Sequence, residues 1–385
     1  LTELPVEDVK QLLRWFVVAS RASELGRPYR LVEEEFSRTR RGLKTSPEQE
    51  RVVTQQIGAQ LYHPLSQLYV QAYFPDSTRR EITEMVGHIK DEFATRLRSN
   101  TWLDDATRRA ALEKLGKIDI QVGYPSGWVD FSSLDIRPDD HFGNVQRANR
   151  FAFQRDMAQV DKPVLKNRFA VATKTTPIAV NSAYNFTTNT IDITAAILQP
   201  PFYKPGADVA ANYCAIGGVI GHEVSHGFDD QGRKSDGDGV LRDWWTPEDA
   251  ARFEARAKVL GDIYNSLEPI PGVHVNGDLT MGENIADLGG LLLALDAYHL
   301  SLNGAEAPVI NGLTGDQRVF LGWAQVWREK SREAALKEQL TTDPHSPGAA
   351  RAATPPRNID AWYAAFGVTP DQAEFIAPES RARIW

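Results

Sequence analysis

The chain has 385 residues, of which 42% are hydrophobic and 24% charged, a globular composition that excludes general disorder. Its 43 Lys and Arg against 51 Asp and Glu leave a formal net charge of −8. The basic excess of a phosphate-tracking surface is missing, so no nucleic-acid partner is expected. A single cysteine, Cys214, excludes an intramolecular disulfide and any multi-cysteine zinc site.

The first third reads as helical. Apolar residues recur at spacings of three and four from Val6 to Phe36, and again over Glu48–Phe74 and Arg79–Arg98. A further helix starts at Asp104-Asp-Ala-Thr107, with acidic residues suited to its N-terminus, and runs to about Leu115, where Gly116 gives a stop signal. Gly123 to Asp140 is rich in Pro, Gly, Ser and Asp and reads as loop. Two β-prone runs, Ile178–Tyr184 and Thr190–Ile197, flank Asn185–Asn189 and predict a hairpin, ended by Pro200-Pro201. Helices follow over about Asp208–Phe228, Pro247–Leu267, Gly282–Leu302, Gly315–Leu336 and Ile359–Phe366. Thr246-Pro-Glu-Asp249 supplies a capping pattern for the second of these. The longest apolar run, near Gly289–Leu295, is far short of the ~20 residues a membrane span needs, so none is expected.

Two motifs carry chemistry. The first is His222-Glu223-Val-Ser-His226. On a helix, positions i and i+4 share a face, so both imidazoles can address one metal, and Glu223 can serve as general base toward a water. Taken alone, the pattern also fits two histidines of an ordinary amphipathic helix. The second motif, Glu283-Asn-Ile-Ala-Asp287, places two carboxylates on one helix face. Glu283 can complete a His/His/Glu metal site, and Asp287 can accept the other ring proton of a ligand histidine. Gly289-Gly-Leu-Leu-Leu-Ala follows at once and marks a buried helix, where unpaired carboxylates would be costly. Asp229 is a further candidate partner. Asp236-Gly-Asp-Gly239 is read as a polar turn, because the following Val240 and Leu241 break the ligand pattern of a calcium loop.

These motifs, together with Val180-Asn181-Ser-Ala-Tyr184, Ile197-Leu-Gln-Pro-Pro-Phe202, Trp244-Trp245, Ala324-Gln-Val-Trp327, His345-Ser-Pro-Gly348 and the C-terminal Trp385, resemble the neprilysin family of zinc endopeptidases. The likeness is ordered from about Val180 to Trp385. It is weaker through Thr101-Trp-Leu-Asp104 and Gly123-Tyr-Pro125. The resemblance implies a mainly α fold with a small β-sheet or hairpin: a gluzincin (thermolysin-like) catalytic domain over 151–385 and part of a helical capping domain over 1–150. It implies one zinc held by His222, His226 and Glu283, with Glu223, His345 and Asp287 as the catalytic group.

By the same resemblance, Asn181 and Ser182 would lie on the strand that binds an extended peptide. His345 would stabilise the oxyanion and Arg351 would hold a substrate carbonyl. Ile197, Phe202, Val219, Val326 and Trp327 would form the apolar pocket for the side chain after the scissile bond. Four stretches depart from the family pattern. Gly218 replaces a larger pocket residue, which would leave the pocket deeper. Thr194 and Ala196 replace the common Pro and Gly, and Val164–Arg168 lacks the usual tryptophan.

The expected activity is cleavage of internal bonds in oligopeptides before a hydrophobic residue. Two other readings stay open: a zinc-stabilised peptide-binding module without turnover, and an exopeptidase of the same metal class. Because family members are larger and the chain begins at Leu1, an N-terminal fragment of the same precursor is the expected partner. Cysteine poverty suggests a bacterial protein of the periplasm or cell surface.

Overall fold

The computed structural model describes residues 4–166, 169 and 175–385. In chain order, helices α1 (Val6–Ser20), α2 (Arg27–Arg40), α3 (Gln49–Gln60), α4 (Tyr62–Tyr73), α5 (Asp76–Ser99) and α6 (Asp105–Lys117) precede strand β1 (Asp119–Gly123). Helix α7 (His141–Met157) and the pair β2 (Ser182–Asn185) and β3 (Thr190–Thr194) follow. The remaining helices are α8 (Val209–Asn212), α9 (Gly218–His226), α10 (Pro247–Asn265), α11 (Met281–Ser301), α12 (Gly315–Val326), α13 (Glu333–Thr342), α14 (Gly348–Ala353) and α15 (Asp360–Phe366). The chain forms two compact units: Leu1–Pro64 with Val129–Val164 and Ser331–Ala335, and Leu65–Trp128 with Leu165–Lys330 and Leu336–Trp385.

In the first unit, α1, α2 and α3 bury none of their residues. The long helix expected over Val6–Phe36 is interrupted between Ser20 and Arg27, after which Pro28 stands in the first turn of α2, where its missing N–H costs nothing. Helix α7 went unpredicted; Asp140 caps it by accepting from the Gly143 amide at 3.0 Å. Arg155 from its last turn reaches the Tyr62 hydroxyl at 2.9 Å.

The second unit holds the apolar core. Helix α11 buries thirteen residues from Asn284 to Tyr298 on all sides, as a helix through the middle of a domain must. It packs on α9, α5 and α10. The α9–α11 crossing is close because glycines face each other. A Cβ on Gly290 would stand 2.6 Å from Gly218 O and His222 N, and one on Gly221 would stand 2.8 Å from Gly290 O. Backbone therefore lies on backbone, which fixes α11 relative to the histidines of α9. The single helix expected over Asp208–Phe228 is in fact α8, a π-helical turn at Tyr213–Gly217, and α9. Such wide turns commonly occur at functional sites.

Among the described residues the sheet has three strands in the order β1-β3-β2. The hairpin β2–β3 is antiparallel, with Ser182 opposite Ile193 and Asn185 opposite Thr190. Strand β1 runs parallel to β3, Asp119 opposite Thr190; it lies between the helix expected to end near Leu115 and the loop expected from Gly123, in a stretch given no expectation. Since β3 is central, β2 is an edge strand among the described residues. All five residues of β3 are buried, whereas β2 alternates buried and half-buried residues.

Candidate active site

Helix α9 brings His222 and His226 to one face, with their Nε2 atoms 3.0 Å apart. Glu283, in the first turn of α11, reaches across: its Oε2 lies 3.2 Å from His222 Nε2 and its Oε1 3.6 Å from His226 Nε2. The ring orientations are fixed from behind. Fully buried Asp287, one turn after Glu283, accepts from His222 Nδ1 at 2.9 Å, and Asp229 accepts from His226 Nδ1 at 2.7 Å. Asp229 is itself held by the Gln231 and Gly232 amides at 2.9 and 2.6 Å. With both Nδ1–H groups committed, the two Nε2 lone pairs and the Glu283 carboxylate converge on one point, all within 4.8 Å of one another.

The electrostatics call for a cation at that point. Burial pushes the His222 imidazole down, but Asp287 and Glu283 more than compensate and lift it to about 10. Burial and the neighbouring His222 likewise lower His226, yet Asp229 and Glu283 leave it raised. Burial would raise the Glu283 carboxyl; the imidazoles of His222, His226 and His345 hold it well below the usual range. Two imidazoles and a carboxylate suit a divalent transition metal, which would take the place of the proton these carboxylates attract. The residues present thus fit the group.

A cavity of about 400 Å³ opens on this cage. Its lining includes Glu223, Asn181, Ser182, Ile197, Phe202, Val219, Trp327, His345 and Arg351 beside His222, His226 and Glu283. Glu223 is buried next to His222 in the sequence. His345 places Nε2 3.2 Å from Glu283 Oε1 and Nδ1 2.7 Å from Asp343 Oδ1. Arg351 is buried and grips Asp287 with two 2.8 Å bonds, from Nε and one Nη. Its guanidinium lies 3.8 Å over the Trp327 ring. Val326 lies outside this lining and packs partly buried against the core.

Among the lining residues to which the sequence reading gave no role are Tyr184, Phe186 and Trp323. The first two sit on or beside β2, where a period-two pattern signals a face but not a cavity. Trp323 fills the space that Gly218 leaves: a Cβ on Gly218 would meet two carbons of its indole at 2.9 Å. The extra depth expected from Gly218 is thereby occupied. Thr194 lies away from the cavity and clamps the approach to β2, donating to Ala179 O at 2.6 Å or Asn181 O at 2.7 Å. The Ala196 amide donates to Pro177 O at 2.9 Å. Of the departing stretch Val164–Arg168, Asn167 and Arg168 lie outside the described residues. In Asp236-Gly-Asp-Gly239, Asp236 Oδ1 accepts from the Asp238 and Val240 amides, which closes a polar turn.

Two models of peptidase family M13 match the chain, one over residues 181–383 and the family's N-terminal model over residues 1–125. Neprilysin-11 of Caenorhabditis elegans is 33% identical over 96% of this chain and 45% of its own length. Human neprilysin is 31% identical over 100% of this chain and 52% of its own. Among solved structures, the inhibitor complex of the zinc metalloprotease Zmp1 of Mycobacterium tuberculosis aligns with a TM-score of 0.94 at 45% identity, over 99% of this chain and 58% of that one. The chain spans about half the length of the relatives it matches.

Proposed function

The chain belongs to peptidase family M13, and from that premise we propose that it carries the catalytic portion of a zinc endopeptidase acting on oligopeptides. The observation that carries this reading is the convergence of His222, His226 and Glu283, with Glu223 in the same cavity as the open edge of β2. An edge strand offers unpaired backbone groups to an extended peptide. At about 3.3 Å per residue, the four residues of β2 suit a short stretch of substrate.

In this reading His222, His226 and Glu283 hold the zinc, which when bound supplies Lewis acidity toward the scissile carbonyl and an attacking water. Asn181 and β2 align the peptide. Glu223 takes the proton of the water and delivers it to the departing amine. His345, braced by Asp343, donates to the oxygen on which negative charge develops, a contact strongest in the transition state. Arg351, fixed by Asp287 and by the Trp327 ring, holds a substrate carbonyl on the far side. The apolar wall of Ile197, Phe202, Val219 and Trp327 receives the side chain after the cut.

The remainder of the longer protein is the proposed partner. Trp15, Phe16 and Val32 are more than 60% exposed on α1 and α2, a density of apolar surface that a companion segment would cover. No helix among the described residues is long and apolar enough to cross a membrane. A periplasmic or surface location belongs to the same proposal. The test is to incubate the full-length protein with defined peptides and with a folded protein, with and without chelator, and read the products by mass spectrometry. Chelator-sensitive internal cuts before hydrophobic residues, in peptides alone, are expected. Release of terminal residues only would favour an exopeptidase, and binding without cleavage a capture module.

A further inference from the structure

We propose that Trp323 sets the depth of the apolar pocket beside the metal cage and so determines which side chain is accepted after the scissile bond. The inference rests on the peptidase reading above and deepens it. Trp323 borders the cavity and is fully buried, so it backs the pocket wall away from solvent. Its indole is pinned on three sides. Against α9 it lies on bare backbone, since a Cβ on Gly218 would stand 2.9 Å from Cε3 and Cζ3. Its Nε1 donates to Arg351 O at 2.9 Å. The ring of Trp327 packs edge-on with centroids 5.4 Å apart.

A wall held in this way does not swing between rotamers and moves only when one of its supports is changed, and the pocket ends where the indole begins. Size selection follows from shape, because one methylene more or less in an apolar pocket changes kcat/KM by roughly 10-fold or more. The pocket therefore favours leucine- or phenylalanine-sized side chains over the larger indole. Trp323 also ties pocket and substrate grip together. The carbonyl it holds belongs to Arg351, whose guanidinium lies 3.8 Å over Trp327.

Two substitutions move the wall in opposite directions. Trp323→Phe removes part of the ring and deepens the pocket. Gly218→Ala touches no substrate, but its methyl group drives the indole toward the cavity. The assay uses the full-length zinc-loaded protein and synthetic peptides that differ only at the residue after the cut (Ala, Val, Leu, Phe, Trp), with zinc content measured in parallel. Trp323→Phe is expected to raise the Trp:Leu ratio of kcat/KM about tenfold, and Gly218→Ala to lower the Leu:Ala ratio about tenfold, both with zinc retained. Cleavage with the wild-type ranking in both variants would overturn this inference alone. If Trp323→Phe fails to fold, an unmoved ranking in Gly218→Ala decides against it. Absence of cleavage by the wild-type protein would overturn the peptidase reading and this inference with it.

Discussion

The distance between α9 and α11 is what brings two separate motifs together as the proposed metal cage, and Gly290→Ala tests it without touching any of the proposed ligands. The added Cβ would stand 2.6 Å from Gly218 O and from His222 N. Non-bonded heavy atoms settle near about 3.5 Å, so the helices must part locally by roughly 0.9 Å. Both atoms are backbone in buried helices, and no side chain can swing away. Overpacking of this kind costs about 1–3 kcal/mol, with this site at the upper end. Metal sites tolerate ligand displacements of about 0.2 Å, so the same movement carries Glu283 out of range of the two histidines. Zinc affinity is expected to fall by more than about 10-fold, measured by competition with a chromophoric chelator. Urea unfolding of the metal-free protein gives the stability loss separately. Wild-type zinc affinity together with wild-type stability would refute the argument that backbone contact sets the cage.

Asp287→Ala leaves the buried guanidinium of Arg351 and the His222 ring without their shared carboxylate. Breaking such a buried pair costs about 3–5 kcal/mol, readable by denaturant unfolding. Zinc affinity is expected to drop about 10- to 100-fold in the chelator competition. Lys114 is buried, and its Nζ donates to Gly232 O at 2.7 Å and Ser235 O at 2.5 Å. Burial pushes its pKa down to about 7 despite Asp229 and Asp236. The unfolded chain binds the extra proton between pH 7 and about 10.4, so this residue's contribution to stability rises with pH across that window and is constant below it. The Tm difference between the wild-type protein and Lys114→Met should grow from pH 7 to 10; a flat difference would refute the assignment.

Sequence legibility followed the range of the interactions involved. The cage was readable because each half is local: His222 and His226, like Glu283 and Asp287, are four residues apart on one helix. Their meeting depends on Gly290 against Gly218 and His222, a contact the local pattern does not show. Strand β1 was missed because five residues with mixed burial become a strand only through parallel pairing with β3, about seventy residues on. The π-turn at Tyr213–Gly217 has the composition of the helix it interrupts. Thr246 does cap α10, accepting from the Asp249 amide. The full reciprocal capping box, Thr314 with Gln317 on α12, carried an equally local signal and went unread. Trp323 was absorbed into an amphipathic helix; its place at the end of the cavity depends on a glycine more than one hundred residues earlier.

The most direct test of the whole account is a Glu223→Gln substitution in the full-length protein, with zinc content and peptide turnover measured on the same sample. Glu223 lines the cavity, whereas the convergent ligand atoms come from His222, His226 and Glu283. Full zinc occupancy is expected, with turnover reduced by at least about 10²–10⁴-fold, the share of rate a positioned general base supplies. Near-normal turnover in the variant would contradict it.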